Sequence, residues 1–357
     1  MIRPSLAVIL ILVGTTVFLI NLTEAAVPTL DDLEKLTIIG PLGPTARKKM
    51  EDYIGYWVNQ MKSAKKYEAI VEAKEKLVKG YGIHNSPYWQ TSYAGVCAER
   101  LVSVLNFPDP VKQIQAGMTL AKIPQYTIQP AVEQMANHPN PAVRYWAAKA
   151  YKASLRRMLL YDARAKKMLG TLKRLGLADS GPILLVVLRS VNPYPDMDEK
   201  TISTMKSLLD EIWLARCKDI RNGRADVIQA YRRMIRFIIP FNQSDKTRVL
   251  QLLADALEAA SLAFVKIGDR KTEATRRLKE LLISLENRLA EITSTTEAPM
   301  RKILDDKIPP MEKAIKVRLK VNEYWKPILA KYGIKPRIHA LKKNTATRPT
   351  TTTTTSP

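Results

Sequence analysis

Few side chains in this 357-residue chain are of types that make or break bonds, and their spacing limits what they could do. Cys97 lies 13 residues after His84, in a stretch that also carries Tyr81, Tyr88, Trp89 and Tyr93. A thiol beside an imidazole can serve as a nucleophile once the base takes its proton. The surrounding pattern points elsewhere. Tyr93, Cys97, Leu101 and Val104 recur at helical spacing, so Cys97 belongs to an apolar stripe and reads as a buried thiol. The aromatic residues beside it read as core, with a concave recognition spot as their alternative use. Cys217 follows Trp213-Leu214 and reads as a second buried thiol, although a bridge to Cys97 stays open in an exported chain.

The three histidines, His84, His138 and His339, are scattered, and none has a His, Cys or carboxylate partner three or four residues on. A zinc site needs convergent ligands, so no metal is predicted, and His138 reads as a turn residue. The chain has no GxSxG elbow, P-loop, dinucleotide fingerprint or paired-carboxylate motif. The acidic pairs Asp31-Asp32 and Asp305-Asp306 are expected at helix starts, where acids suit the dipole. No catalytic, cofactor-binding or metal-ligating set is therefore assigned, and an enzyme is not predicted.

Charge is the strongest compositional signal, a net +23. It is uneven, since Lys313 onward holds eleven Lys/Arg against one acid, Glu323, a net +10. Such a segment suits an anionic polymer or a membrane surface. The doublets Arg156-Arg157, Lys166-Lys167, Lys173-Arg174 and Arg232-Arg233 could line one surface and contact phosphates or sulfates if neighbouring helices stack. Few aromatics interleave with them, which argues against stacked bases and makes a nucleic acid an improbable partner.

The elements that must hold these residues are helices. Leu, Ala, Lys, Glu and Arg dominate, glycine is sparse, and no run alternates with period two. The frame Asn-x-Pro-(Asp/Asn)-Pro occurs at Asn106 and again at Asn137, 31 residues on. Each copy is a turn leading into a helix, with the second Pro at the first helical position and Asp109 or Asn140 as N-cap. Recurrence at this period signals stacked helix pairs. Before them, Thr45 is expected to cap a helix with the stripe Met50, Ile54, Trp57, Val58 and Met61. A second helix, near 64–79, should be broken by Gly80, Gly82 and Pro87. A helix with the stripe Val111, Ile114, Met118 and Ala121 follows the first frame, and one from Pro141 to about Tyr161 follows the second. Further helices are predicted near 162–175, 182–189, 197–213 and 225–239, then one capped by Ser244. A long one over about 269–292 has the stripe Leu278, Leu281, Leu282, Leu285, Leu289 and Ile292.

Residues 1–25 read as a secretory signal, with Arg3, an uncharged run from Leu6 to Ile20 and small residues at Thr23-Glu24-Ala25; an uncleaved anchor is the alternative. Residues 26–292 form the repeat domain, 293–299 a polar linker within a basic helical extension over 293–340, and 341–357 a disordered Thr-rich tail.

Pro141-Ala142-Val143-Arg144 with Ala147-Ala148 resembles the second-helix signature of short, roughly thirty-residue HEAT-like repeats, and Val111-Lys112 with Ala116 resembles it more weakly. The match runs from Tyr88 to Tyr161, about a fifth of the chain. The resemblance implies that Val143 and the alanines pack between helices. It also implies that Arg144 reaches an acidic turn residue of its own or a neighbouring repeat. His138 and Phe107 stand where the family often has Asp. The expectation is an all-α HEAT-like solenoid, an α-α superhelix, exported to the periplasm or the extracellular space. It would act as a non-catalytic scaffold for a protein partner. The alternative is binding of an anionic envelope polymer or membrane surface through the basic C-terminal segment.

Overall fold

The computed structural model describes residues 27–155, 163–193, 197–238, 243–296 and 299–338. The expected signal at 1–25, the tail at 341–357, His339 and Arg156-Arg157 lie outside these residues, as does the side chain of Ser244. The described residues are all-α, without strands. The first helices are α1 (Leu30–Glu34), α2 (Pro44–Ser63), α3 (Tyr67–Gly82), α4 (Pro87–Leu105) and α5 (Pro110–Ala121). A 3₁₀ turn at Tyr126–Ile128 leads into α6 (Gln129–Ala136), α7 (Pro141–Leu155), α8 (Ala163–Ala178) and α9 (Gly181–Ser190). Longer helices follow as α10 (Glu199–Arg221), α11 (Ala225–Ile235), α12 (Gln243–Ile267) and α13 (Glu273–Thr293). The chain continues through α14 (Pro299–Asp305), α15 (Pro310–Lys320), a π-helical turn at Val321–Trp325 and α16 (Lys326–Ala330).

Both frames fold as their residues dictate. Asp109 accepts from the amides of Val111 and Lys112, and Asn140 Oδ1 accepts from Ala142 N at 2.9 Å. Pro110 and Pro141 open α5 and α7, where a missing N–H is free of consequence. Val143, Ala147 and Ala148 are fully buried. Arg144 leaves α7 to meet Asp179, in the turn between α8 and α9, at 2.6 Å, and donates to the carbonyls of His138 and Pro139.

From α2 to α13 each helix packs on its next-but-one neighbour. One series is α2, α4, α6, α8, α10 and α12; the other is α3, α5, α7, α9, α11 and α13. A helix in such a row buries one flank against each neighbour and a third side against the facing series. That requires a wider apolar stripe than a two-helix contact. The central helices have it: α9 buries Ile183 through Leu188 without interruption. One hydrophobic cluster runs from Leu33 to Ile338. α15 packs on α12, α14 on α13, and Trp325 is fully buried. Pro327 cannot donate an amide, and the helix before it loosens so that Lys326 N donates to Val321 O, five residues back.

Several expectations are corrected. The helix stripe of 50–61 is buried at Met50, Ile54, Val58 and Met61, but its helix starts at Pro44 with Gly43 as N-cap, because proline takes the first position ahead of Thr45. Gly80 breaks nothing: it lies inside α3, where a Cβ would come within 2.6 Å of Tyr93 Oη and 2.9 Å of Tyr53. Val111 is exposed, and α5 buries Lys112, Ala116 and Leu120 instead, one position round from the expected face. Asp31 and Asp32 do start a helix, with Thr29 and Asp32 forming a capping box, whereas Asp305 closes α14. Asp306 follows it, with Lys316 4.0 Å away.

Candidate functional site

Of the residues first considered for chemistry, Cys97, Cys217, Tyr81, Trp89 and Tyr93 lie in the core, His84 is half-buried and Tyr88 is exposed. Cys97 and Cys217 are buried free thiols, and burial pushes both above the ordinary thiol range. An attacking thiol needs access and a lowered pKa, and Cys97 has neither. His84 is occupied elsewhere, with Nε2 2.8 Å from Leu33 O and its ring edge-on to Trp89. Trp89 and Tyr93 donate to the carbonyls of Gly80 and Leu77 inside the core. His138 accepts from Asn140 N in the α6–α7 turn. Among the described residues no group of three or more His, Cys, Asp or Glu side chains is arranged to hold a metal.

Among the described residues the basic doublets divide between the two helix series. Lys173 pairs with Glu211 at 2.6 Å, while Lys167 and Arg174 face Glu133, so these three belong to the series of α6, α8 and α10. Arg232-Arg233 belongs to the other series and opens onto a cleft of about 550 Å³ between α11 and α13.

The cleft follows from a shared spacing. On α11, Val227, Ile228, Ala230, Tyr231 and Met234 turn inward, which leaves Gln229, Arg232, Arg233 and Arg236 on the opposite face at i, i+3, i+4 and i+7. On α13, Leu278, Leu281, Leu282, Leu285 and Leu289 are inward, and Ser284, Asn287, Arg288 and Glu291 repeat the same intervals. Two of the arginines are committed. Arg232 meets Glu280 at 3.0 Å, and Arg288 pairs with Glu291 and donates to Ile238 O at 3.0 Å. Arg233 and Arg236 have no carboxylate partner among the described residues.

A third cation stands behind them. Arg189, at the end of α9, stacks 4.4 Å from the Phe237 ring centre, and Arg236 lies over the same ring at 5.0 Å. Burial lowers the Arg189 pKa, and the positive fields of Arg236 and Arg233 lower it further. Its Nε and the Oε1 of Gln229 are buried without a hydrogen-bond partner among the described residues. A second depression, lined by Asp269 to Lys279, has both its acids paired, Asp269 with Lys313 at 2.9 Å and with Lys279, Glu273 with Arg276 and Arg277, while Arg270 and Lys271 have no carboxylate partner among the described residues.

Among the described residues, most of the C-terminal cations are spent within the fold. Arg318 and Lys326 pair with the buried Glu258, Arg337 pairs with the buried Asp255, and Lys313 is itself buried. What this segment exposes instead is an apolar stripe on α15: Met311, Ile315 and Leu319 are 78%, 50% and 44% exposed. Of these features only the Arg232-Arg233 doublet was legible beforehand. Arg236 stood at i+3 and i+4 from it, but its relation to Arg189 and α13 depends on helix pairing that no local pattern encodes.

No protein-family model and no curated protein sequence matches the chain. Among solved structures it is similar to the crystal structure of an engineered protein, at 14% identity over 82% of this chain and 88% of that one. The TM-score is 0.20, too low to support an argument about fold or function.

Proposed function

We propose that the chain is an exported, non-catalytic scaffold, a HEAT-like helical-repeat solenoid that offers an extended surface to a protein partner in the periplasm or extracellular space. The observation that carries this reading is the packing of each helix from α2 to α13 on its next-but-one neighbour, with hydrogen bonds joining those neighbours. Arg144–Asp179, Thr171–Glu133, Arg216–Leu177 O, Trp213–Leu252 O and Arg248–Asp210 span 35, 38, 39, 39 and 38 residues. Nearest-neighbour coupling of this kind is how stacked repeats build a long surface without a central pocket. Among the described residues no helix is long and apolar enough to cross a membrane. The test is capture of partners from a native envelope extract by the intact protein, with low- and high-salt washes. A defined protein that survives high salt, and is lost when Val143→Asp places an unpaired charge in the stack, supports the scaffold. Capture of only heterogeneous, salt-released material counts against it.

A second reading is attachment to an anionic membrane surface through the C-terminal segment. It is favoured by the α15 stripe, which has Lys316 and Lys320 on the same helix. An apolar face with flanking lysines suits the headgroup boundary. Met311→Glu with Ile315→Glu should abolish sedimentation with vesicles containing phosphatidylglycerol and leave folding unchanged. Undiminished sedimentation would exclude this face.

A further inference from the structure

We propose that the cleft between α11 and α13 binds a tetrahedral oxyanion, the phosphate or sulfate group of a ligand, held by Arg233 and Arg236 with Arg189 behind them. This goes beyond the scaffold reading and does not depend on it. Elsewhere the acids of the fold gather cations around them. Lys206 and Arg248 meet Asp245, and Arg248 also meets Asp210. Arg276 and Arg277 meet Glu273, and Arg276 also meets Glu280. Even the buried acids Asp255 and Glu258 have arginines. Other arginines, Arg221 and Arg270 among them, also lack a carboxylate partner among the described residues, but Arg189, Arg233 and Arg236 converge at one end of α9 and α11 with none. Glu291, which lines the cleft, is taken by Arg288, and Glu280 is taken by Arg232.

Convergent like charges oppose one another, and the opposition grows where burial removes water. An incoming dianion reverses the sign of that interaction. Guanidinium forks match the oxygens of phosphate and sulfate in pairs, which a lysine ammonium cannot do. Phe237 holds two of the three forks by stacking, so part of their side-chain freedom is surrendered before the ligand arrives. Asn287 and Gln229 add amide groups to the walls. At about 550 Å³ the cleft is larger than one oxyanion needs, so it has room for the group that carries it.

The experiment uses the full chain and three probes at matched ionic strength: sodium pyrophosphate, sodium chloride, and vesicles of phosphatidylcholine with and without phosphatidic acid. Binding is read by calorimetry and sedimentation, and melting temperature is followed in parallel. Arg233→Ala with Arg236→Ala is compared with Arg301→Ala with Lys302→Ala, which removes equal charge from α14. Pyrophosphate should raise the parent's melting temperature above the chloride control and bind about ten-fold or more weakly to the cleft variant, the usual scale for losing charge-assisted bonds. The α14 variant should bind like the parent. Without ligand the cleft variant should melt higher than the parent at low salt, because it is relieved of repulsion. That outcome also separates lost binding from lost folding. Phosphatidic acid vesicles that bind in place of pyrophosphate, with the same dependence on Arg233 and Arg236, would support the site and identify a lipid headgroup as the source. Equal losses in both variants, or no difference between pyrophosphate and chloride together with no vesicle binding, would overturn the proposal.

Discussion

At Arg144 one guanidinium ties together three pieces of chain: its own helix, the turn before it through the carbonyls of His138 and Pro139, and Asp179 in the next helix pair. Both partners of the ion pair are largely shielded, so truncation strands a carboxylate and the part-buried His138 carbonyl rather than returning them to water. Arg144→Ala should cost about 2–4 kcal/mol in urea unfolding, and Arg144→Lys should recover less than half, since a single ammonium cannot reproduce the fork. Glu286 is a different case. Burial pushes its carboxyl above the ordinary value of 4.5, and hydrogen bonds from Trp325 Nε1 and Met300 N only partly oppose this. A raised folded-state pKa means that the fold holds the proton longer than the unfolded chain does. The contribution of Glu286 is then complete below 4.5 and is lost as pH rises through the folded value. Relative to Glu286→Gln, the parent should gain stability as pH falls from neutral and level off below 4.5. Asp269 runs the other way. Burial raises it, but hydrogen bonds from Lys279 and Lys313 outweigh burial and hold it below 3.8, so its contribution is present above 3.8 and lost in acid. Unfolding free energies of both amide variants between pH 3 and 7 should slope in opposite directions against the parent; parallel slopes would contradict both assignments.

The helices were legible where one stripe faces one neighbour. The stripes of α2, α4 and α13 and the proline caps of α5 and α7 followed from spacing and turn chemistry alone. The repeat faded after Tyr161 for a physical reason. α5 and α7 begin 31 residues apart, at Pro110 and Pro141, but α11 and α13 begin 48 apart, at Ala225 and Glu273, as the helices lengthen. A fixed period cannot follow units that grow. Faces buried on two or three sides were harder, because a nearly continuous apolar helix such as α9 has no single stripe to orient it. Gly80 illustrates the limit at element scale, since a glycine needed for close helix contact and one that ends a helix are the same letter. The two can be separated by measurement. Gly80→Ala must push into Tyr93 and Tyr53 and should destabilise by about 1–3 kcal/mol. Gly82→Ala, with nothing within 4 Å of its Cβ, should be neutral or slightly stabilising. Equal effects would mean that α3 and α4 are less closely packed than Tyr93 and Trp89 imply.

Over the whole molecule, the consequential relation is between the basic C-terminal segment and the helices before it. Its net charge suggested a separate arm for anions, yet from Met300 to Ile338 it supplies Leu304, Val317, Val321, Trp325 and Leu329 to the same hydrophobic cluster. Its cations meet acids of α12 that are otherwise enclosed: Arg318 and Lys326 at Glu258, Arg337 at Asp255. Removing the segment therefore does two things at once. It returns apolar faces of α12 and α13 to water, at about 25 cal/mol per Å² uncovered, and it leaves two carboxylates without counter-charge. A chain ending at Ala298 should unfold at a clearly lower urea midpoint than the full chain. Its urea dependence should also be shallower, because less surface is newly exposed on unfolding. High salt should narrow the gap in midpoint only slightly, since enclosed ion pairs are weakly screened and the apolar loss is untouched. An unchanged midpoint would mean that the body folds without its C-terminal cover. The same reasoning governs how binding by this segment must be tested. Truncation would weaken anion or membrane binding through damage to α12 and α13 even if the segment touched no ligand. Surface substitutions on α15, at Met311 and Ile315, leave Val317 and Trp325 in place and so separate attachment from stability, where deletion cannot.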